Sequence, residues 1–149
     1  MTADRQALAQ KVIAEARSWV GTKMIPGGDC KGVGADCLFY RHPYHACGLC
    51  PDIDVGARPS GRFLRDDRYL RLMAPYVVPR EGRPQPADIA LFEVALAPNH
   101  AAIVIDWPTV IHAQPEGCIA EENIFRTIFA ERLHSVWTPK GLADMAGGA

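Results

Sequence analysis

The stretch "NHAAIVIDWPTVIHAQ", Asn99 to Gln114, reads as two strands, "HAAIVID" and "TVIHAQ", separated by a turn signal at Trp107-Pro108. Each strand carries one histidine, His100 in the first and His112 in the second. Side chains alternate between the faces of a sheet, so the length of the connection decides whether the two imidazoles meet. A three-residue connection at Asp106 to Pro108 sets His112 against Ala102, on the face of His100. A two-residue loop at Trp107-Pro108 sets it against Ile103 and turns it to the other face. The spacing predicts the first register or an equivalent bulge, with Ile103 and Ile105 in the core.

Strand signals continue on both sides of this hairpin. "DIALFEV" precedes it, "GCIAEENI" and "LHSVWT" follow, and Pro, Asn and Gly separate them. The first half of the chain is different. Thr2 can cap a helix whose apolar positions Leu8, Val12, Ile13, Ala16, Trp19 and Val20 recur at helical spacing, with Gly21 closing it. A loop from Lys23 to Gly34 leads into "ADCLFYR", where Asp36 can cap a second helix that Pro43 is expected to kink or stop. Ser60 precedes a third helical stretch, "GRFLRDDRYLRLM", and Pro75, Pro79, Pro84 and Pro86 argue against regular structure from there to Asp88. Helices first and a meander of antiparallel strands later give an α+β fold, N-terminal helices packed on a C-terminal antiparallel sheet.

The 149 residues suit one domain, 1–149, with the small-residue end at about 141–149 expected to fray. With 16 basic and 17 acidic residues the net charge is −1, which leaves no cationic surplus for a nucleic-acid partner. No apolar run is long enough to span a membrane, and the polar helical start is unlike a signal peptide. The expectation is a protein made in the cytoplasm. Five cysteines, Cys30, Cys37, Cys47, Cys50 and Cys118, are an odd number and speak against a complete disulfide framework.

"CKGVGADCLFY", Cys30 to Tyr40, holds the candidate nucleophile. Cys37 opens the "CLFY" helical run, where a thiolate gains from the helix dipole and from nearby backbone N–H groups that could also hold an oxyanion. Gly32 and Gly34 could let a substrate backbone come close. The same pattern suits a buried thiol packed as a small hydrophobe. A cysteine nucleophile needs a base and the base an orienting partner, and His100 with His112 supplies that pair. Diagonal cross-strand neighbours about 7–8 Å apart can bring such rings within reach of each other.

The order Cys37, His100, His112, with "GVGADCLF" around the first, "PQPADIALFE" ahead of the second and "VIHA" around the third, resembles the NlpC/P60 cysteine peptidases. Within that family the chain is most similar to the tail-associated cell-wall peptidases of phages and gene transfer particles. The resemblance runs from about Val12 to Ile124 and includes "SWVGT". It implies a papain-like fold and hydrolysis of peptide bonds in peptidoglycan stem peptides, with no cofactor. Cys37 would be the nucleophile, His100 the general base and acid, and His112 the residue that orients it; the hairpin spacing, for its part, predicts both rings directed at Cys37. It also implies assembly into a phage-like tail with a hub or tail-tip protein as partner. Many relatives carry a tyrosine after "GT" that helps form the oxyanion hole, where this chain has Met24 or Ile25. Leu38 and Ala87 replace the usual serine and glycine of the two motifs.

A second reading starts from "HPYHACGLC", in which His42, His45, Cys47 and Cys50 are zinc-type ligands. Four ligands in nine residues are more cramped than the separated pairs of a standard zinc site, and a loop with surface histidines and reduced thiols fits them too. A third reading makes the chain a structural tail component without activity. Arg58, Arg62, Arg65, Arg68 and Arg71 follow one helical side and read as a solvated face.

Overall fold

A computed structural model describes residues 2–55, 68–94 and 96–147. Helix α1 (Ala3–Arg17) starts at Thr2, whose side chain accepts a bond from the Arg5 N–H at 3.2 Å. Its buried stripe of Ala9, Val12, Ile13 and Ala16 has the expected period, and Trp19 packs beyond its end. The loop that follows holds a small hairpin of β1 (Asp29–Cys30) and β2 (Gly34–Ala35).

A 3-10 turn over Cys37–Tyr40 then runs straight into α2 (Arg41–Ala46). Pro43 does not stop this helix, which continues to Ala46. It occupies the first turn of α2, where a backbone N–H would have no helical acceptor anyway. Of the third expected helix, α3 (Arg68–Met73) is observed, and Ser60, Arg58, Arg62 and Arg65 lie outside the described residues.

The proline-rich stretch after it is more regular than its composition suggests. A 3-10 turn covers Ala74–Tyr76 and β3 spans Val77–Pro79. Strand β3 lies at the edge of the main sheet, the place where proline is tolerated because one side needs no ladder donor.

Strands β4 (Ile89–Val94), β5 (Ala97–Asp106), β6 (Thr109–Ala113) and β7 (Ile119–Asn123) form the expected meander. The last strand, β8 (Leu133–Pro139), returns to pair with β4 and β3, so the order of this six-stranded antiparallel sheet is β3-β8-β4-β5-β6-β7. Helix α4 (Lys140–Gly147) occupies most of the segment expected to fray, and Leu142 is fully buried in it, which supplies the anchoring that a loose tail lacks.

Alternation along β4 to β6 builds two apolar layers. Ile89, Leu91, Ala101, Ile103 and Ile111 pack with α1, the 3-10 turn and α2, while Ala90, Phe92, Ala102, Val104 and Val110 pack with Ile124 and Phe129 on the other face. Ile105 packs half-buried against the first layer.

Candidate functional site

The hairpin register favours the histidine pair. Ile103 pairs with Ile111 and Val104 with Val110, and a bulge at Ile105 then lets Asp106 face Thr109 across the two-residue Trp107-Pro108 turn. The short loop and the same-face register are thus reconciled by one extra residue. Extended by one step beyond Ile103 and Ile111, the ladder sets His112 across from Ala102 and diagonal to His100. The His100 Nε2 and His112 Nδ1 atoms are 2.9 Å apart, with the ring planes at 89°.

Both imidazoles are buried, His100 at 1% exposure and His112 at 0%. Phe129 stacks on the His100 ring at 3.9 Å between centroids, and Phe92, its cross-strand partner, tilts against it at 6.2 Å. Burial holds the His100 pKa well below the usual histidine value, and the neighbouring His112 adds to the effect. Burial also lowers the His112 pKa, against the opposing pull of Glu122, whose Oε1 is 3.7 Å from His112 Nε2. The resting pair is therefore neutral at neutral pH.

Cys37 is 8% exposed and starts the 3-10 turn. Asp36 fixes that start twice: Oδ1 accepts from the Leu38 N–H at 3.1 Å, and Oδ2 from the Gly27 N–H at 3.0 Å. The capping residue thereby ties the glycine loop to the turn that carries the thiol.

The thiol meets the sheet at a second bulge. Phe92 pairs with His100 and Glu93 with Pro98, which leaves Asn99 as the extra residue in β5. Cys37 Sγ lies 4.0 Å from the Asn99 carbonyl oxygen, and the Asn99 Nδ2 donates to the Val94 carbonyl at 2.6 Å. The residue beside the thiol is thus the immediate neighbour of His100 in the chain. Sequence reading missed Asn99, because a bulge comes from a shift in strand pairing and leaves no local signature.

Of the two glycines expected to let a substrate come close, Gly34 packs within the loop, whereas nothing lies within 4 Å of a Cβ added at Gly32. The space of a Gly34 side chain is occupied by the Ile25 side chain, and a Cβ added at Gly28 would lie 2.9 Å from the Gly34 carbonyl group. Gly34 serves the packing of the loop on itself rather than the approach of a substrate. Met24 is half-buried against the core, and neither it nor the exposed Ile25 offers a polar side chain to an oxyanion.

The remaining candidates do not converge. His42 Nε2 is 2.8 Å from Asp29 Oδ1, and its ring stacks on Trp19 at 5.0 Å. Asp29 also takes Arg41 Nη2 at 2.6 Å, and Arg41 itself is buried, with Nη1 on the Leu38 carbonyl at 2.7 Å. Burial alone would raise the Asp29 carboxyl, but Arg41 and His42 outweigh it and hold the pKa below the usual value. His45 Nδ1 bonds to the Cys50 carbonyl at 3.1 Å, and burial pushes the Cys50 thiol up to about 11. Burial raises the Cys47 thiol as well. Among the described residues no group of three or more His, Cys, Asp and Glu side chains has the geometry of a metal site. His42 and His45 turn to separate partners, Asp29 and the Cys50 carbonyl. Trp107 packs edge-on against Phe125 at 5.5 Å and covers the end of the hairpin. No described helix is long and apolar enough to cross a membrane.

Solved structures share this fold. The NlpC/P60 domain of the peptidoglycan hydrolase SagA matches with a TM-score of 0.58 at 20% identity, over 87% of this chain and 97% of that one. An NlpC/P60 family protein from Bacillus cereus ATCC 10987 matches with a TM-score of 0.62 at 19% identity, over 86% of this chain and 39% of that one. No protein-family model and no curated protein sequence matches the chain. The α+β fold is that of papain-like NlpC/P60 domains.

Proposed function

We propose that this protein is a cysteine peptidase that hydrolyses peptide bonds in the stem peptides of peptidoglycan, with Cys37 as nucleophile, His100 as base and acid, and His112 as the residue that orients His100. The observation that carries the proposal is the meeting of a capped thiol, at 4.0 Å from the Asn99 carbonyl, with the chain segment that continues into a buried imidazole pair. SagA, which shares the fold, is a peptidoglycan hydrolase, and this supports the substrate class.

The chemistry follows from the groups. His100 takes the Cys37 proton, the thiolate attacks the amide carbonyl, and the Cys37 backbone N–H is the candidate donor to the oxyanion. His100 then protonates the departing amine. Water, deprotonated by the same imidazole, opens the thioester and restores the thiol. The similarity of the motifs to tail-associated wall peptidases supports a place in a phage-like tail, made in the cytoplasm of the producing cell and docked on a hub or tail-tip protein.

Identification of the reactive thiol tests the assignment. Cys30 is exposed on β1 and Cys37 is buried at the turn, so accessibility alone favours Cys30. A small alkylating agent at neutral pH is expected to abolish hydrolysis in step with modification of Cys37. Loss of activity that follows Cys30 instead would overturn the assignment.

A further inference from the structure

The 2.9 Å contact between His100 Nε2 and His112 Nδ1 requires one nitrogen to carry a proton and the other a lone pair. Two neutral arrangements satisfy it. In the first, His100 donates from Nε2, leaving its Nδ1 unprotonated and able to act as a base; His112 is then protonated at Nε2. In the second, His112 donates from Nδ1, and His100 carries its proton on Nδ1, where it cannot accept one. Only the first makes His100 a base toward a thiol at its Nδ1.

What lies beyond His112 decides between them. Glu122 on β7 is a diagonal neighbour of His112, since His112 pairs with Ala120 and Val110 with Glu122. Its Oε1 is 3.7 Å from His112 Nε2, and its Oε2 accepts a bond from the Gln114 side-chain amide. The adjacent carboxylate, Glu121, faces the other way and pairs with Arg17 at 2.9 Å. A cavity of about 460 Å³ opens on this side, lined by His112, Gln114, Glu116, Glu122, Arg126 and Phe129 among others. At 3.7 Å a carboxylate attracts an N–H dipole and repels a lone pair, and burial of His112 strengthens both effects.

We propose that Glu122, held by Gln114, is a positioning residue that selects the Nε2-protonated form of His112 and thereby keeps His100 Nδ1 unprotonated. This rests on the peptidase reading for its consequence, but the tautomer itself does not. The titratable groups around His112 include Glu122 on its own face, Glu116 and Arg126 along the cavity, and the neutral His100 across the ladder. Glu122 approaches its Nε2 to 3.7 Å.

The test has two parts. Nitrogen-15 NMR of the substrate-free protein is expected to show His112 protonated at Nε2, shifting toward Nδ1 protonation in Glu122→Leu. Activity of Glu122→Gln is expected to fall by about tenfold or more in kcat with little change in KM, as for other residues that orient a catalytic imidazole. The limb of its pH profile that reports the imidazolium should move to lower pH, because a favourable negative charge has been removed. A purely structural residue would not move that limb. An Nδ1-protonated His112 in the wild-type protein overturns the inference, whether or not either variant folds or the protein hydrolyses anything. A tautomer and pH profile unchanged in the folded variants overturn it too. Absence of hydrolysis by the wild-type protein, with His112 protonated at Nε2, removes the peptidase reading and leaves Glu122's effect on the tautomer standing.

Discussion

His100 and His112 face each other at 2.9 Å, buried between Phe129 and the sheet. Their burial makes the fold sensitive to acid. Both pKa values are depressed in the folded chain, so the unfolded chain binds protons that the folded one refuses once the pH falls below about 6.5. Stability contributed by keeping the rings neutral is therefore present above that pH and lost below it. The Tm should fall between about pH 7 and pH 5, and His112→Leu should show a shallower fall over the same range; equal slopes would contradict the neutral pair.

Asp36 links two segments through a single carboxylate. Asp36→Ala removes the bonds to Leu38 and Gly27 and should cost about 1–2 kcal/mol in stability. Activity should fall further than Asp36→Asn, which keeps one capping oxygen. Urea unfolding and peptide hydrolysis measured on both variants check this, and equal effects from the two would argue against capping.

Close packing inside the glycine loop makes Gly28 intolerant of a side chain. An added Cβ would sit 2.9 Å from the Gly34 carbonyl group, backbone that cannot rotate away. Gly28→Ala should destabilise by about 1–3 kcal/mol, as overpacking does elsewhere. Thermal unfolding measures it, and an unchanged Tm would mean that the loop adjusts freely.

Chelation should leave the rate unchanged. The proposed chemistry needs a thiol and an imidazole, and His42 and His45 are engaged with Asp29 and the Cys50 carbonyl. Incubation with a strong chelator, followed by assay with and without added zinc, gives the answer: loss with chelator and recovery with zinc, fold intact, would favour a metallohydrolase.

Much of this arrangement is legible in the sequence because alternation and helical spacing are strong where one face is buried. Strands β4 to β7 and helix α1 follow directly from those periods. The histidine pair follows from its spacing once the hairpin is read. Other parts depend on distant partners. β3 contains Pro79 and exists because it sits at an edge beside β8, and β8 returns to β4 because the central strand needs a second neighbour. The bulge at Asn99 reflects a pairing shift between β4 and β5, and Glu122 becomes relevant to His112 only through the β6–β7 ladder. No local pattern announces either one.

The most direct test of the central claim is incubation of the intact protein and of Cys37→Ala with defined peptidoglycan fragments, followed by mass analysis of the products. The intact protein should release fragments cut within the stem peptide. Cys37→Ala, of unchanged Tm, should be slower by about 10⁴-fold or more, the scale seen when a nucleophile of this kind is removed. Equal cleavage by the two proteins, or none by either, would contradict the assignment of Cys37 as the nucleophile of a wall peptidase.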